Sequence, residues 1–496
     1  MARGPTWRGG VVIASVMRQL WNRAVDPDRA IMRVMGSLIE AAGVRYALDR
    51  SPASWVPGEP LKLLLAGYSG TRNTGADVRV EEMIRQFRQV LGDDHIELSL
   101  LTIDPERSAG YFRTVRQVQL PALFPKFLYE EVPRHHGVVA CEGSMFKSKF
   151  ANALSTMMAG SLGLAAVEGK LSVGYGAEAG AMDPALSEFV RKQCHRSLII
   201  CRNEPSRGVL EGMGIRTRSG TDTAWTFQPS PPEVGAKLLR DHGWDGERPV
   251  LIVCPINPFY WPAKPDLLKT AARGLLGQFR EDHYKSIYFH EWSDEAGLAY
   301  DAYLDGLAEA AGTFAQERGA FLVLAGSEML DRGACEDLAE RVGGNPPVLV
   351  SDEIDMYDFV SMLRQATYMV SSRYHAMVTS MPGGVPSIGV TMDERIHNLL
   401  HDRGHADYLF RVDDEGLGEG LLGALRRLEG EVGRVRAETL AFVPSQIRVM
   451  GEMGIELAEE VSRVYPEFPR RDVPRSWEHH LPPLSAELKR LMETQA

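Results

Sequence analysis

Short apolar runs that close on small residues, each followed by a helix-length stretch, recur along this chain and restrict it to a parallel-sheet architecture. Leu61–Gly67 (LKLLLAG) is the first, and Ile96–Ile103, Gly137–Cys141, Lys170–Gly176 and Ser197–Cys201 follow. Continuous rather than alternating apolar character marks strands covered on both faces. Helical segments lie between several of them. Asp77–Leu91 sets Val80, Met83, Ile84, Phe87 and Leu91 on one face, and Phe150–Val167 and Pro184–Cys194 are two more. Strands alternating with helices imply βαβ units.

The texture changes at Gln228-Pro229-Ser230-Pro231-Pro232, a stiff linker, and a second series begins. Its strands are expected at Val250–Cys254, Phe321–Ala325, Val348–Ser351, Tyr368–Ser372 and Ser387–Thr391, its helices at Asp294–Arg318, Gly333–Val342 and Asp355–Gln365. The expected fold is α/β and GT-B-like. Two Rossmann-type parallel-sheet domains face across a cleft, with N- and C-terminal helical extensions. The expected divisions are 1–60 (helical extension), 61–228 (acceptor side), 229–429 (donor side) and 430–496, with a long helix near Gly430–Glu459 and a Pro- and charge-rich tail.

The net charge of -11 over 496 residues argues against a nucleic-acid binder, which gathers a basic face. Five widely spaced cysteines without a CxxC pattern read as reduced thiols of a cytoplasmic protein. No stretch approaches the ~18–20 apolar residues of a membrane span. The basic, apolar segment Arg8–Ala24 has two readings: a helix packed on the body, or one resting on the inner face of the cell membrane.

In open parallel sheets, ligands sit beyond the carboxyl ends of the strands, which selects the loops worth reading. Tyr68-Ser69-Gly70-Thr71-Arg72-Asn73-Thr74-Gly75-Ala76-Asp77 joins the first strand to its helix. Its glycines allow close backbone approach, and the helix start favours an anion. The alternative is a tight turn with Asn73 or Asp77 as N-cap. Glu142-Gly143-Ser144-Met145-Phe146-Lys147 offers a carboxylate at a strand end, either a base or a turn cap. Tyr175–Gly180 is a further small-residue exit. Arg202 and Asp222 follow short apolar stretches and either face the cleft or pair internally. Arg373-Tyr374-His375 is the most informative: a fixed cation and a group that titrates near neutrality, at a helix start just past a buried strand. Phe259-Tyr260-Trp261 and Phe289-His290-Glu291-Trp292 either wall the cleft or pack loops. His135-His136 and His479-His480 read as solvated or packed.

These residues resemble the polysaccharide pyruvyl transferase family, best over Asp355–Tyr408. There the chain carries Arg373-Tyr374-His375, then Gly384-Val385-Pro386, then Asp393-Glu394-Arg395-Ile396, with Arg395 where the family usually has Lys. Asn73-Thr74-Gly75-Ala76-Asp77 is similar to a family N-x-G-D pattern with Ala76 inserted. Arg202 with Ser206, followed by Asp222, is similar to R-D-x-x-S and a later Asp, with Asn203 in place of the first Asp. The Glu142 loop departs from a more Gly-rich one. The resemblance spans roughly 62–411.

It implies phosphoenolpyruvate as co-substrate, no cofactor or metal, and transfer of a pyruvyl group onto a sugar of a cell-envelope glycan or precursor as a ketal. The acceptor's carrier, a lipid among the options, stays open. Arg373, Arg395 and Arg202, with Glu394, are expected on the donor. His375 is expected as general acid or phosphate-orienting group, Glu142 or Asp222 as the carboxylate helping the attacking hydroxyl, and Tyr68, Ser69, Asn73, Gly75 and Asp77 on the acceptor. Two other readings stand beside this one. A glycosyltransferase would use a nucleotide sugar with Glu394 on the ribose. A non-catalytic glycan or partner binder would fit the departures at Ala76, Asn203 and Glu142.

Overall fold

The computed structural model describes residues 26–48, 55–261 and 293–494, with the backbone of two short strands between the last two stretches. The readings of Arg8–Ala24 and of the side chains at Phe289–Trp292 lie outside those residues.

The chain forms strands β1 (Leu61–Ser69), β2 (Ile96–Thr102), β3 (Arg116–Gln119), β4 (Gly137–Ala140), β5 (Leu171–Ala177), β6 (Leu198–Cys201) and β7 (Arg216–Ser219). They pair in parallel in the order β3-β2-β1-β4-β5-β6-β7. Then come β8 (Val250–Cys254), the paired β9 (Lys264–Pro265) and β10 (Tyr288–Phe289), β11 (Phe321–Gly326), β12 (Val348–Val350), β13 (Tyr368–Ser371), β14 (Ser387–Thr391) and β15 (Leu409–Arg411). The second sheet, also parallel, runs β12-β11-β8-β13-β14-β15. These are two Rossmann-like domains. Strand order reverses between β1 and β4 and between β8 and β13, and at such switch points the loops part to leave a crevice.

Every apolar run read from the sequence is a strand. In the two parallel sheets three strands were not foreseen, β3 (RQVQ), β7 (RTRS) and β15 (LFR), and the short β9–β10 pair was not foreseen either. Each of the three is outermost in its sheet; polar side chains blunt the open edge at β3 and β7, and β15 is too short for Leu409 and Phe410 to read as a run.

β1 is covered on both faces. Leu61, Leu63 and Leu65 join a cluster with Phe87 of helix Thr74–Leu91, while Leu64 and Ala66 join another with Met157 and Met158 of helix Asn152–Val167. Helix Pro27–Leu48 lays Met32, Met35, Ile39 and Ala42 over the outer side of helix Asn152–Val167, where Gly160 leaves room for Met35. The C-terminal helix is longer than expected and is preceded by a separate one. Helix Leu417–Gly430 packs on the second sheet, and helix Val432–Val464 then crosses from the second domain to the first. Its Val435 sits in the second domain's core, and its Ile447, Met450 and Met453 join Phe87 of the first. Gln86 Nε2 donates to the Met450 carbonyl at 2.7 Å, and Arg216 pairs with Glu460. All five cysteines are buried and unpaired. No helix among the described residues is long and apolar enough to cross a membrane.

Candidate active site

The two sheets turn their carboxyl ends toward each other, and the loops from those ends interlock. Asn73 caps helix Thr74–Leu91 by accepting from Ala76 N at 3.2 Å, while its Nδ2 donates to Glu328 Oε2 at 3.1 Å. The Tyr68 hydroxyl donates to the other oxygen of Glu328 at 3.1 Å, and Thr74 N donates to the Ser327 carbonyl at 2.9 Å. The β1 loop of the first domain is therefore docked on the β11 exit of the second. Gly75 lies directly against the His375 ring, and a Cβ there would overlap the imidazole. The glycine is needed for close approach, not for its backbone angles.

Arg373 and His375 flank the start of helix Tyr374–Ser380. The Arg373 guanidinium is clasped between Asp331, with Nε 2.8 Å from Oδ2, and Glu328 at 3.1 Å. His375 Nε2 lies 3.2 Å from Asp222 Oδ2, a bond between the domains. Asp222 also takes Arg79 at 3.0 Å and Arg202 at 3.2 Å, with its side chain sealed from solvent. Arg202 and Lys147 both pair with Glu178, and Lys147 Nζ reaches across the cleft to Glu394 at 2.8 Å. The Arg202 guanidinium stands 4.5 Å from the Tyr374 ring centre. Arg395 pairs with Asp393 at 2.8 Å and stands 4.7 Å over the Phe150 ring.

Burial works against the charge of Asp222, but Arg79, His375 and Arg202 outweigh it and hold the carboxyl far below its ordinary range. Burial lowers the His375 pKa, with Asp222 opposing. His375 is thus a neutral imidazole near pH 7. Because Asp222 is ionised, Nε2 carries the proton and donates it, which leaves Nδ1 as the acceptor beside Gly75. Asp331 behaves oppositely: burial raises it to about 6, against the pull of Arg373.

A pocket of about 50 Å³ lies between the domains. Gly75, Ala76, Glu142, Ser144 and Arg202 line it from the first domain, and Arg373, His375 and Arg395 from the second. A larger cavity of about 580 Å³ shares Tyr68, Asn73, Glu142, Ser144, Arg373 and Arg395 with it.

The structure therefore brings His375, Arg373, Arg395, Arg202, Glu142, Tyr68, Asn73 and Gly75 onto one site. Asp222 stands one step behind, fixing His375 rather than facing a sugar hydroxyl. Three expectations are corrected. Ser69 is fully buried at the end of β1 and Asp77 is buried under the β1 loop, so neither lines either pocket. Burial pushes the Asp77 carboxyl well above its usual range, with Arg72 opposing. Glu394, expected on the donor, lines neither pocket and bridges to Lys147. His375 is a neutral base in form, where a general acid or a phosphate-orienting group was expected.

Sequence reading did not single out Arg79, Lys147, Glu178, Glu328 or Asp331. Lys147 and Glu178 sit in loops that the strand-end rule had selected, and no spacing pairs them. Glu328 and Asp331 follow β11, an exit that the same rule would have reached.

No curated protein matches the chain. A solved structure named for UDP-N-acetylglucosamine 2-epimerase, from Listeria monocytogenes, superposes with a TM-score of 0.50 at 12% identity, covering 84% of this chain and 100% of its own. The UDP-GlcNAc 2-epimerase from Neisseria meningitidis, bound to UDP-GlcNAc, gives 0.44 at 11% identity over 76% and 94%. The calicheamicin glycosyltransferase gives 0.42 at 14% over 82% and 100%. At such identities the likeness speaks to fold alone. The family model described as polysaccharide pyruvyl transferase is matched by residues 165–394. That is a narrower span than the resemblance read from the motifs, yet it holds Glu178, Arg202, Asp222, Arg373, His375 and Glu394. Over that stretch, from the end of the first domain's long buried helix to the start of the helix after β14, this chain is a match to the polysaccharide pyruvyl transferase family.

Proposed function

We propose that the protein transfers the pyruvyl group of phosphoenolpyruvate to a sugar as a ketal. The observation that carries this reading is the convergence of Arg202, Arg373 and Arg395 with the Asp222–His375 pair on one small pocket between the domains. A compact donor with a carboxylate and a phosphate calls for guanidinium forks in a partly desolvated site.

The chemistry follows from the protonation states. A sugar hydroxyl attacks C2 of the donor as its methylene carbon takes a proton from solvent water. His375 Nδ1 receives the hydroxyl proton, and Asp222 stabilises the resulting imidazolium across the Nε2 bond. The C2–O–P bond breaks and phosphate leaves with the electron pair. A second hydroxyl then closes on C2 and gives up its proton to the departing phosphate, leaving the ketal and inorganic phosphate. Glu142 lines the same pocket, with Oε1 accepting from Gly143 N at 2.8 Å, and it orients the acceptor hydroxyls.

Calorimetric titration separates this reading from a nucleotide-sugar donor. Phosphoenolpyruvate should bind saturably, and Arg373→Ala should weaken it by ~2–5 kcal/mol, the usual cost of truncating one partner of a buried charge pair. Tight binding of a UDP-sugar with none of phosphoenolpyruvate would overturn it.

A further inference from the structure

The larger cavity holds more than the transfer reaction needs. At about 580 Å³ it falls within the range of small-molecule sites, and it is continuous with the reactive pocket through Tyr68, Asn73, Glu142 and Arg373. Away from those residues the wall is polar along one side, at Asp104, Glu106 and Gln119, and apolar over most of the rest. Phe124, Ala153, Leu154 and Met157 come from the helix Phe124–Glu131 and the helix Asn152–Val167, Leu120 from the loop after β3, and Trp261 from the second domain. Trp261 stands edge-on to Phe150 at 5.2 Å, which closes this end across the domain boundary. A sugar seated among aliphatic side chains would leave hydroxyls without partners, at a cost for each. An apolar group would bury well there.

We propose that this cavity is an aglycone subsite. The acceptor enters as a glycoside, with its sugar hydroxyls at Tyr68, Asn73 and Glu142 and an apolar substituent, alkyl or aromatic, lodged against Leu154, Met157 and Phe124. The inference rests on the transfer reading for the sugar's position, while the subsite is defined by its wall alone. The recognised chemistry is a sugar joined to an apolar chain or ring, in place of a free oligosaccharide that would require polar walls throughout.

The experiment uses the full chain and methyl, hexyl and phenyl glycosides of glucose, galactose and N-acetylglucosamine. Binding is measured by calorimetry and, separately, KM by phosphate release from phosphoenolpyruvate. Each methylene removed from water tightens binding ~3–4-fold. Hexyl glycosides should therefore bind at least ~10-fold more tightly than methyl ones in at least one sugar series, with phenyl in between. Leu154→Gln, at a half-buried position, and Leu120→Gln should each erase most of that hexyl-to-methyl ratio, and two positions guard against one folding failure. Aglycone-dependent binding without phosphate release would remove phosphoenolpyruvate and leave the subsite standing. Equal affinities across every series, or a ratio that survives both substitutions, would overturn the subsite whatever the donor proves to be.

Discussion

His375 is set by two neighbours. Asp222 holds its Nε2 proton, and Gly75 makes room for the Nδ1 edge. His375→Ala is expected to lower turnover ~10²–10⁴-fold, the usual span for general acid–base assistance, in a protein that still unfolds cooperatively. Asp222→Asn should lower kcat while leaving donor KM within a few-fold, because it disturbs the imidazole's tautomer while Arg202, which Asp222 also holds, stays paired to Glu178. Gly75→Ala should also reduce turnover, since the added methyl group displaces the ring; steady-state kinetics beside thermal unfolding checks all three. Arg373 carries a different prediction. Burial raises the Asp331 carboxyl to about 6, so Asp331 adds its competition with an anionic donor for Arg373 mainly above that pH, beside the Glu328 contact. Asp331→Asn should tighten donor binding up to ~10-fold at pH 7.5 and flatten its pH dependence, as titration at several pH values would reveal. The motif Arg373-Tyr374-His375 was legible because a buried strand runs straight into it. Glu328 and Asp331, which decide how free that arginine is, belong to a loop distant in sequence and carry no pattern of their own.

The central strands and their helices could be read directly, because burial on both faces writes a continuous apolar run into the sequence. The edge strands β3 and β7 could not, since most of their residues answer to solvent, and β15 could not because two apolar residues are too few to make a run. The helix Val432–Val464 was only half legible: its periodicity gave a helix, but nothing local announced that it spans both domains. Its packing is tight enough to test. Gly451 faces the backbone carbonyl of Trp477, and a methyl group would overlap that oxygen, which cannot swing aside as a side chain can. Gly451→Ala should cost ~1–3 kcal/mol in urea unfolding, as overpacking does. Met35→Ala, which empties the contact between helix Pro27–Leu48 and helix Asn152–Val167, should cost ~2–5 kcal/mol.

For the molecule as a whole, one apolar cluster runs unbroken from Phe87 in the first domain through Phe227 and Ile447 to Phe359 and Met377 in the second. The Lys147–Glu394 ion pair and the His375–Asp222 hydrogen bond tie the same boundary on the cleft side. The domains should therefore unfold together, in one calorimetric transition, and two separated transitions would show the boundary to be weaker than its packing implies. This closure also explains why the site is assembled: Asp222 and Arg202 come from one domain, His375 and Arg373 from the other, and neither half alone holds a neutral imidazole against an ionised carboxylate. The most direct measurement is to incubate the protein with phosphoenolpyruvate and a panel of sugar acceptors and to follow phosphate together with the ketal carbon of the product by NMR. The account predicts one ketal formed for each phosphate released, with both lost in His375→Ala. Ketal formation that persists in a folded His375→Ala protein, or consumption of a nucleotide sugar with phosphoenolpyruvate left intact, would contradict it.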